Sequence, residues 1–453
     1  MDKALNKEIL RLSLPSILAN LTVPLVGFVD TAVAGHLPAQ GGLGAAAFIG
    51  AISVGSMLFN FLYWNFGFLR TGTGGLTAQA FGRSDIHGCA MLLSRGLVMS
   101  LAAAAAVLLL QWPFVNVVLY FVQASPETEA LARQYFFIRI WAAPATLGLM
   151  AFSGWFVGMQ DSVSSMWKDL IVNGVNIAAS IFLALGAGSW EGLGFRGVAW
   201  GTVAAQYSGL VFCICVCAFK YGRKVFGGVS LGELKGMMRG PEMKGYFRLN
   251  ADLFGRSLGF TVVYIGYTVI AARYGDLMLA CSSIMMQLLM IFSYFTDGFA
   301  YAGEALSGRF IGAGDRTMLR RTVRYTFAWS MGIALIFIGI YRLGSGPLLT
   351  LLTDDAAVVQ ACGAFLIWLV LMPPLGCAAF TGDGIYQGAT ASRAIRNSML
   401  GAALCFFAVW AAGKILLRPE GEEAIHLLLA AYFAHLAFRT AYLSARYRKD
   451  IMK

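Results

Sequence analysis

A single acid stands inside a long apolar run near the start of this sequence. From Leu12 to Gly35 the chain reads LSLPSILANLTVPLVGFVDTAVAG, twenty-four largely apolar residues with two prolines, Pro15 and Pro24, and one carboxylate, Asp30. A charge held in hydrocarbon costs about 2.5–3.5 kcal/mol on insertion scales, so an acid kept there points to function. Low-dielectric surroundings disfavour the charged carboxylate, which suits Asp30 to taking up and releasing a proton. The same half supplies polar neighbours: Asn173, Asn176 and Ser180 on one later apolar stretch, Thr202 and Gln206 on the next. They form either a polar pocket that senses the protonation of Asp30 or plain interhelical hydrogen bonds, each worth about 0.6 kcal/mol in membranes.

The second half offers a different set. Asp297 and Glu304 are seven residues apart and share a helix face, in the run Thr296-Asp-Gly-Phe-Ala-Tyr-Ala-Gly-Glu304, and Asp383 sits in Phe380-Thr-Gly-Asp-Gly-Ile-Tyr-Gln-Gly388. Arg256, also within an apolar stretch, requires a counter-charge, and one of these acids is its natural partner. Glu304 is the candidate for a structural ion pair, while Asp297 and Asp383 read as cavity or ion-site residues. Asp169 and Asp252 begin their stretches and read as interfacial. Residues suited to nucleophilic or metal chemistry are not arranged for it: no GxSxG, P-loop or HExxH occurs, and the four histidines lack ligand spacing. Neither a catalytic residue, a metal site nor a cofactor is expected, and the chain reads as no enzyme.

These side chains must be positioned by membrane helices. Of the 453 residues 58% are hydrophobic and 13% charged, far from the balance of a soluble protein. A spanning helix needs roughly 20 apolar residues, and twelve stretches qualify: 12–35, 43–69, 91–112, 135–157, 165–187, 195–219, 247–271, 277–300, 324–344, 361–386, 397–417 and 424–444. The net charge of +11 does not indicate nucleic acid, because the basic residues follow loop parity. With the N-terminus inside, 24 lie in inner segments and six in outer ones, which places both termini in the cytoplasm. Arg70, Arg139, Arg256 and Arg439 fall within or at the ends of spans and read mostly as interfacial. On this topology Asp30 lies about five residues from the outer end of its span, roughly 7–8 Å deep at 1.5 Å per residue. The eight cysteines lie mostly inside spans without CxxC spacing and read as small packing residues.

The longest hydrophilic connection, around 220–246, separates a first lobe, 1–219, from a second, 247–453. Offsetting the chain by 230 residues aligns Gly82-Arg-Ser-Asp85 with Gly312-Ala-Gly-Asp315, and Pro144, Gly154 and Gly158 with Pro374, Gly384 and Gly388. Six spans per half make this a parallel repeat about an axis along the membrane normal, a design that transporters use for alternating access. Pro15, Pro24, Pro144, Pro373 and Pro374 each remove a helix hydrogen bond, and Gly197-Val-Ala-Trp-Gly201 is a GxxxG that signals close helix packing.

Five stretches then carry a resemblance: Leu12-Ser-Leu-Pro15, Thr22-Val-Pro-Leu-Val-Gly-Phe-Val-Asp-Thr-Ala-Val-Ala-Gly-His-Leu37, Gly75-Leu-Thr-Ala-Gln-Ala-Phe-Gly82, Asp297-Gly-Phe-Ala-Tyr-Ala-Gly-Glu304 and Arg396-Asn-Ser-Met399. Through them the chain resembles the multidrug and toxic compound extrusion (MATE) family, specifically its DinF branch. The resemblance implies an all-α fold of twelve transmembrane helices in two six-helix lobes, which rock between inward- and outward-open states while cationic, amphipathic compounds leave in exchange for H+ or Na+. It places the proton-binding acid of the first lobe on Asp30, with Asn176 and Thr202 in the same cavity, and suggests that the first helix bends near Pro15 on protonation. Two departures stand out. Ser180 occupies the position of a second acid found in archaeal members, and the seventh span lacks the Glu-x-x-x-Phe setting of the NorM-like branch.

The expectation is a proton-coupled multidrug antiporter of the bacterial inner membrane, with Na+ coupling left open. It acts as a monomer among membrane lipids on small amphipathic substrates, with no nucleic acid. A lipid flippase on a similar scaffold would line its cavity with basic residues, and a membrane-embedded lipid transferase would gather Asp297, Glu304 and Asp383 around a divalent metal.

Overall fold

Long apolar segments satisfy their backbone polar groups internally by becoming helices, since hydrocarbon offers no partner. The computed structural model describes residues 2–38, 44–122, 125–227, 232–233, 240–353 and 355–452, and among these no β-strand is present beyond one isolated bridge between Ala187 and Trp190. Twelve helices are long and apolar enough to cross a membrane: α1 Lys3–His36, α2 Ala45–Gly82, α3 Ile86–Tyr120, α4 Pro126–Gly158, α5 Ser162–Leu185, α6 Phe195–Phe226, α7 Glu242–Ala272, α8 Asp276–Gly312, α9 Arg316–Leu343, α10 Ala356–Gly388, α11 Ser392–Leu417 and α12 Gly421–Asp450. The chain is a multi-pass membrane protein.

Several helices are interrupted. A turn at residues 65–67 breaks α2, 3₁₀ turns at Ile140–Ala142 and Gly363–Phe365 interrupt α4 and α10, and α6 ends in a π-helical segment, Cys217–Phe226. The connection expected over 220–246 is therefore helical at both ends. Lys220 and Tyr221 bind Asp161, and residues 228–231 and 234–239 of it lie outside the described residues.

The chain divides into two compact units, Leu18–Lys244 and a second made of Met1–Ile17 with Gly245–Lys453. The division expected between 219 and 247 thus has a counterpart inside α1, just past Pro15, and the first seventeen residues belong with the second half rather than with 1–219. Specific contacts explain this. Asn6 accepts from the Trp329 indole at 2.8 Å, Glu8 pairs with Arg309 at 2.5 Å, and Ile17 and the Ser13 carbonyl lie so close to Gly298 that a Cβ there would meet them at 2.4 and 2.8 Å. Beyond Ile17, α1 remains helical through Pro24 to His36 but exposes Leu18, Val23, Leu25 and Phe28.

The repeat is written into the backbone of each unit. A Cβ on Gly154 would stand 1.9 Å from the Arg70 carbonyl oxygen, and one on Gly384 would stand 2.2 Å from that of Ala300, residues that are again 230 apart. Gly158 and Gly388 lie in the same way against Gly74 and Glu304. Here the backbones of α2 and α4, and of α8 and α10, come into contact at these glycines, the close approach that membrane helices make through small residues. The turns that follow match as well: Ser84 and Gly314 have φ of 59° and 73°, Gln160 and Thr390 of 62° and 53°, and Asp85 and Asp315 cap the next helices through Gly88 and Met318 N–H.

Candidate functional site

In the Leu18–Lys244 unit, Asp30 on α1 is buried, 5% exposed. The groups that act on it electrostatically are the Arg139 guanidinium and the Ser180 hydroxyl. Ser180 is fully buried, and the GxxxG explains why: a Cβ on Gly201 would meet the Ser180 nitrogen and Oγ at 2.6 Å, and one on Gly197 would meet the Leu183 backbone at 2.3 Å. At the crossing of α5 and α6 a small side chain fits where a second acid would not. One turn back, Asn176 donates to Thr202 Oγ1 at 3.0 Å, and Asn173 donates to Thr22 Oγ1 at 2.5 Å, tying α5 to α6 and to α1. Gln206, a turn beyond Thr202, is partly buried and makes no hydrogen bond among the described residues.

Arg139 was read from the sequence as a span-end residue and is instead part of this site. It donates to the Tyr135 hydroxyl at 2.9 Å and lies 4.5 Å from the centre of the Phe59 ring, a cation–π contact. Tyr63 and Tyr135 share its field, and Tyr135 also interacts with Thr202. A charge count would have found Arg139. An arginine inside a span calls for a nearby acid, and Asp30 is the one acid well inside a span of the first half. Among the described residues two buried oxygens of the cluster, Asp30 Oδ1 and Asn176 Oδ1, have no hydrogen-bond partner. The Ser180 hydroxyl, which acts on the Asp30 carboxyl, can donate to the carboxylate or accept from the protonated acid. A proton on Asp30 would make the carboxyl a donor, and its removal would leave Arg139 as the compensating charge.

The second unit is organised differently. Asp383 on α10 accepts from Arg256 of α7 at 2.8 Å and from Arg439 of α12 at 2.5 Å, both at Oδ2. Arg439 and Asp383 side chains are 3% and 6% exposed and Arg256 25%. Asp383 is thus an ion-pair centre, the role the sequence reading gave to Glu304. Arg256 and Arg439 are both committed to this acid. Glu304 is fully buried where Gly388 crosses its carbonyl, and Asp297, one face along α8, is partly buried. Asp252 is buried and holds Arg396 at 2.5 Å and Ser392 at 2.9 Å. Among the described residues no group of three His, Cys, Asp or Glu side chains is placed to hold a metal ion. Pro15 and Pro24 interrupt the hydrogen bonding of α1 without ending the helix, and Ser16 and Thr22 beside them return their hydroxyls to the Leu12 and Ala19 carbonyls, an arrangement that bends helices.

Twelve spanning helices, a repeated close crossing in each half and a buried acid with unpartnered acceptors define a multi-pass membrane transporter. A family model described as MatE matches residues 15–182 and 253–409, and the chain belongs to that family. It is 34% identical over 448 residues to the DNA damage-inducible protein F of Escherichia coli (strain K12), covering 98% of this chain and 92% of that one. It is 24% identical to a probable multidrug resistance protein, NorM, of Deinococcus radiodurans, over 84% and 82% of the two chains. Among solved structures, one described as MATE in the bent conformation superposes with a TM-score of 0.83 at 17% identity, over 98% of this chain and 95% of the other. A transporter of the MOP superfamily from Pyrococcus furiosus, reported with a binding pocket of reverse polarity, gives 0.84 at 16% over 98% and 96%.

Proposed function

We propose that this protein is a secondary active efflux antiporter of the bacterial inner membrane, with both termini cytoplasmic. It exports cationic and amphipathic compounds in exchange for protons, with Asp30 as the site of coupling. The observation that carries the reading is the buried Asp30 carboxyl, which stands in the field of Arg139 and beside the Ser180 hydroxyl yet makes no ion pair among the described residues. Protonation turns the carboxyl into a donor and frees Arg139 from Asp30. Deprotonation restores the Asp30–Arg139 attraction and changes the polarity presented to a cationic substrate. The related NorM proteins, named for multidrug resistance, support the substrate class. Exchange of a monocation for one proton moves no net charge, so the pH gradient drives it: each pH unit supplies about 1.4 kcal/mol, a tenfold gradient of substrate.

The test is efflux of a fluorescent cationic dye by purified protein in proteoliposomes, with the pH and sodium gradients collapsed separately. Loss of transport on collapsing the pH gradient alone, and its absence in Asp30→Asn with the melting temperature retained, is the expected result. Dependence on sodium alone would transfer the unpartnered oxygens to a Na+ site. A second reading rests on Arg139, whose cation inside the site would suit a phosphate-bearing, lipid-linked substrate; transport of such a lipid but not of the dye would replace the first.

A further inference from the structure

The second unit contains a cleft that the coupling site does not use. It has a volume of about 280 Å³ and opens between α9, α10 and α12, lined chiefly by Val323, Phe327, Ala378, Ile385, Leu443 and Tyr447. Its polar edge is the hydroxyls of Thr440, Ser444 and the tyrosines. The Tyr386 hydroxyl is committed to the Leu443 carbonyl at 2.5 Å and that of Thr440 to the Leu436 carbonyl at 3.1 Å, so the walls present mainly hydrocarbon.

Chain direction fixes which end of the helices this is. The lining residues lie within the first four turns of α9 and the last turns of α10 and α12, where Arg316, Arg320, Arg321, Arg324, Arg446, Arg448 and Lys449 gather. On α9, Arg316, Arg320, Val323 and Phe327 follow at spacings of four, three and four, one continuous helix stripe. Arg320 acts electrostatically on Tyr447 across the cleft. Neighbouring cations are already paired, Arg321 with Asp2 at 3.6 Å and Arg446 with Asp450 at 2.8 Å. Arg316, Arg320 and Arg324 are exposed and enter no ion pair among the described residues. An apolar slot thus continues, along one stripe, into unpaired guanidiniums at the end of the spans where headgroups lie.

We propose that this cleft is a binding site for an anionic phospholipid, with an acyl chain between α9 and α12 and its phosphate on Arg316 and Arg320. Guanidinium forks match phosphate oxygens in pairs, and unpaired cations at a membrane surface select anionic over zwitterionic headgroups. The basic ends of the helices assign the site to the cytoplasmic leaflet.

Native mass spectrometry of the purified protein, exchanged into micelles with phosphatidylglycerol or phosphatidylcholine, tests this. The wild type is expected to retain phosphatidylglycerol over phosphatidylcholine, and Arg316→Gln with Arg320→Gln to lose that preference, about fivefold per arginine. Ser444→Trp, which fills the slot from an exposed edge, is expected to lower retention of both lipids, and melting temperatures of the variants report that the fold survives. Equal retention of the two lipids by the wild type, or an unchanged preference in the double variant, overturns the proposal. Displacement of the lipid by millimolar inorganic phosphate would also overturn it, since the site would then read a free anion without needing the chain.

Discussion

Each unit places a buried acid within the field of an arginine, Asp30 in one and Asp383 in the other, and the two acids are treated in opposite ways. Asp383 has two guanidiniums on one oxygen. Asp30 has Arg139 within its field, no guanidinium in ion-pair contact among the described residues, and an oxygen with no donor. A carboxylate gripped by two cations cannot change its charge without stranding both of them, whereas one that leaves acceptors unsatisfied can take a proton at little structural cost. The contrast teaches that burial alone does not make an intramembrane acid functional. What distinguishes the candidate is incomplete satisfaction.

The sharpest way to break this comparison is to neutralise each acid. Asp383→Asn should destabilise the protein by about 3–5 kcal/mol, because removing one partner of a buried ion pair leaves its cations uncompensated. A melting curve in detergent reads this, and a variant as stable as the wild type would erase the distinction from Asp30. Asp30→Asn, in the transport assay above, should lose coupling and keep the fold.

The repeat supplies a second, smaller contrast. Gly154→Ala and Gly384→Ala each push a Cβ into a carbonyl oxygen, at 1.9 and 2.2 Å, and because backbone rather than a flexible side chain stands in the way each should cost about 1–3 kcal/mol. Equal costs in the two units would show that the crossings are equivalent in energy as well as geometry.

The smallest effect sits where the repeat diverges. Asp161 caps α5, while its repeat partner Ala391 offers α11 no side-chain cap. Burial works against the Asp161 charge, but hydrogen bonds from Lys220, Ser164 and Tyr221 outweigh it and hold its carboxyl below the ordinary value of 3.8. A depressed value means that its stabilisation is complete above pH 3.8 and is lost as pH falls through the folded-state value. Asp161→Asn should therefore lower the melting temperature at pH 7 and flatten its dependence on acid below about pH 4. An unchanged acid profile would mean that other carboxylates dominate it.

Much of this was readable in one dimension. Twelve apolar runs require twelve helices because length and hydropathy are local properties, and the 230-residue offset marked the glycines that the helices use to touch. Asp30 announced itself by cost, being an acid where charge is expensive. GxxxG signalled a close helix packing, and the structure shows that its partner is α5 at the small Ser180.

What the sequence could not decide was pairing. Arg139, Arg256 and Arg439 read only as residues within or at the ends of spans, because a linear view gives depth and not the direction a side chain faces. Whether Arg256 meets Glu304 or Asp383 depends on which helices adjoin α7, and whether Asp252 is wet depends on α11 bringing Arg396 and Ser392 to it. The allegiance of Met1–Ile17 is likewise set by Trp329, Arg309 and Gly298, some three hundred residues away in the chain. By itself the sequence determined the helices, their repeat and the presence of costly charges, since these follow from composition along the chain. The tertiary structure alone decided which of those charges are neutralised, because the partner that neutralises a buried charge comes from another helix.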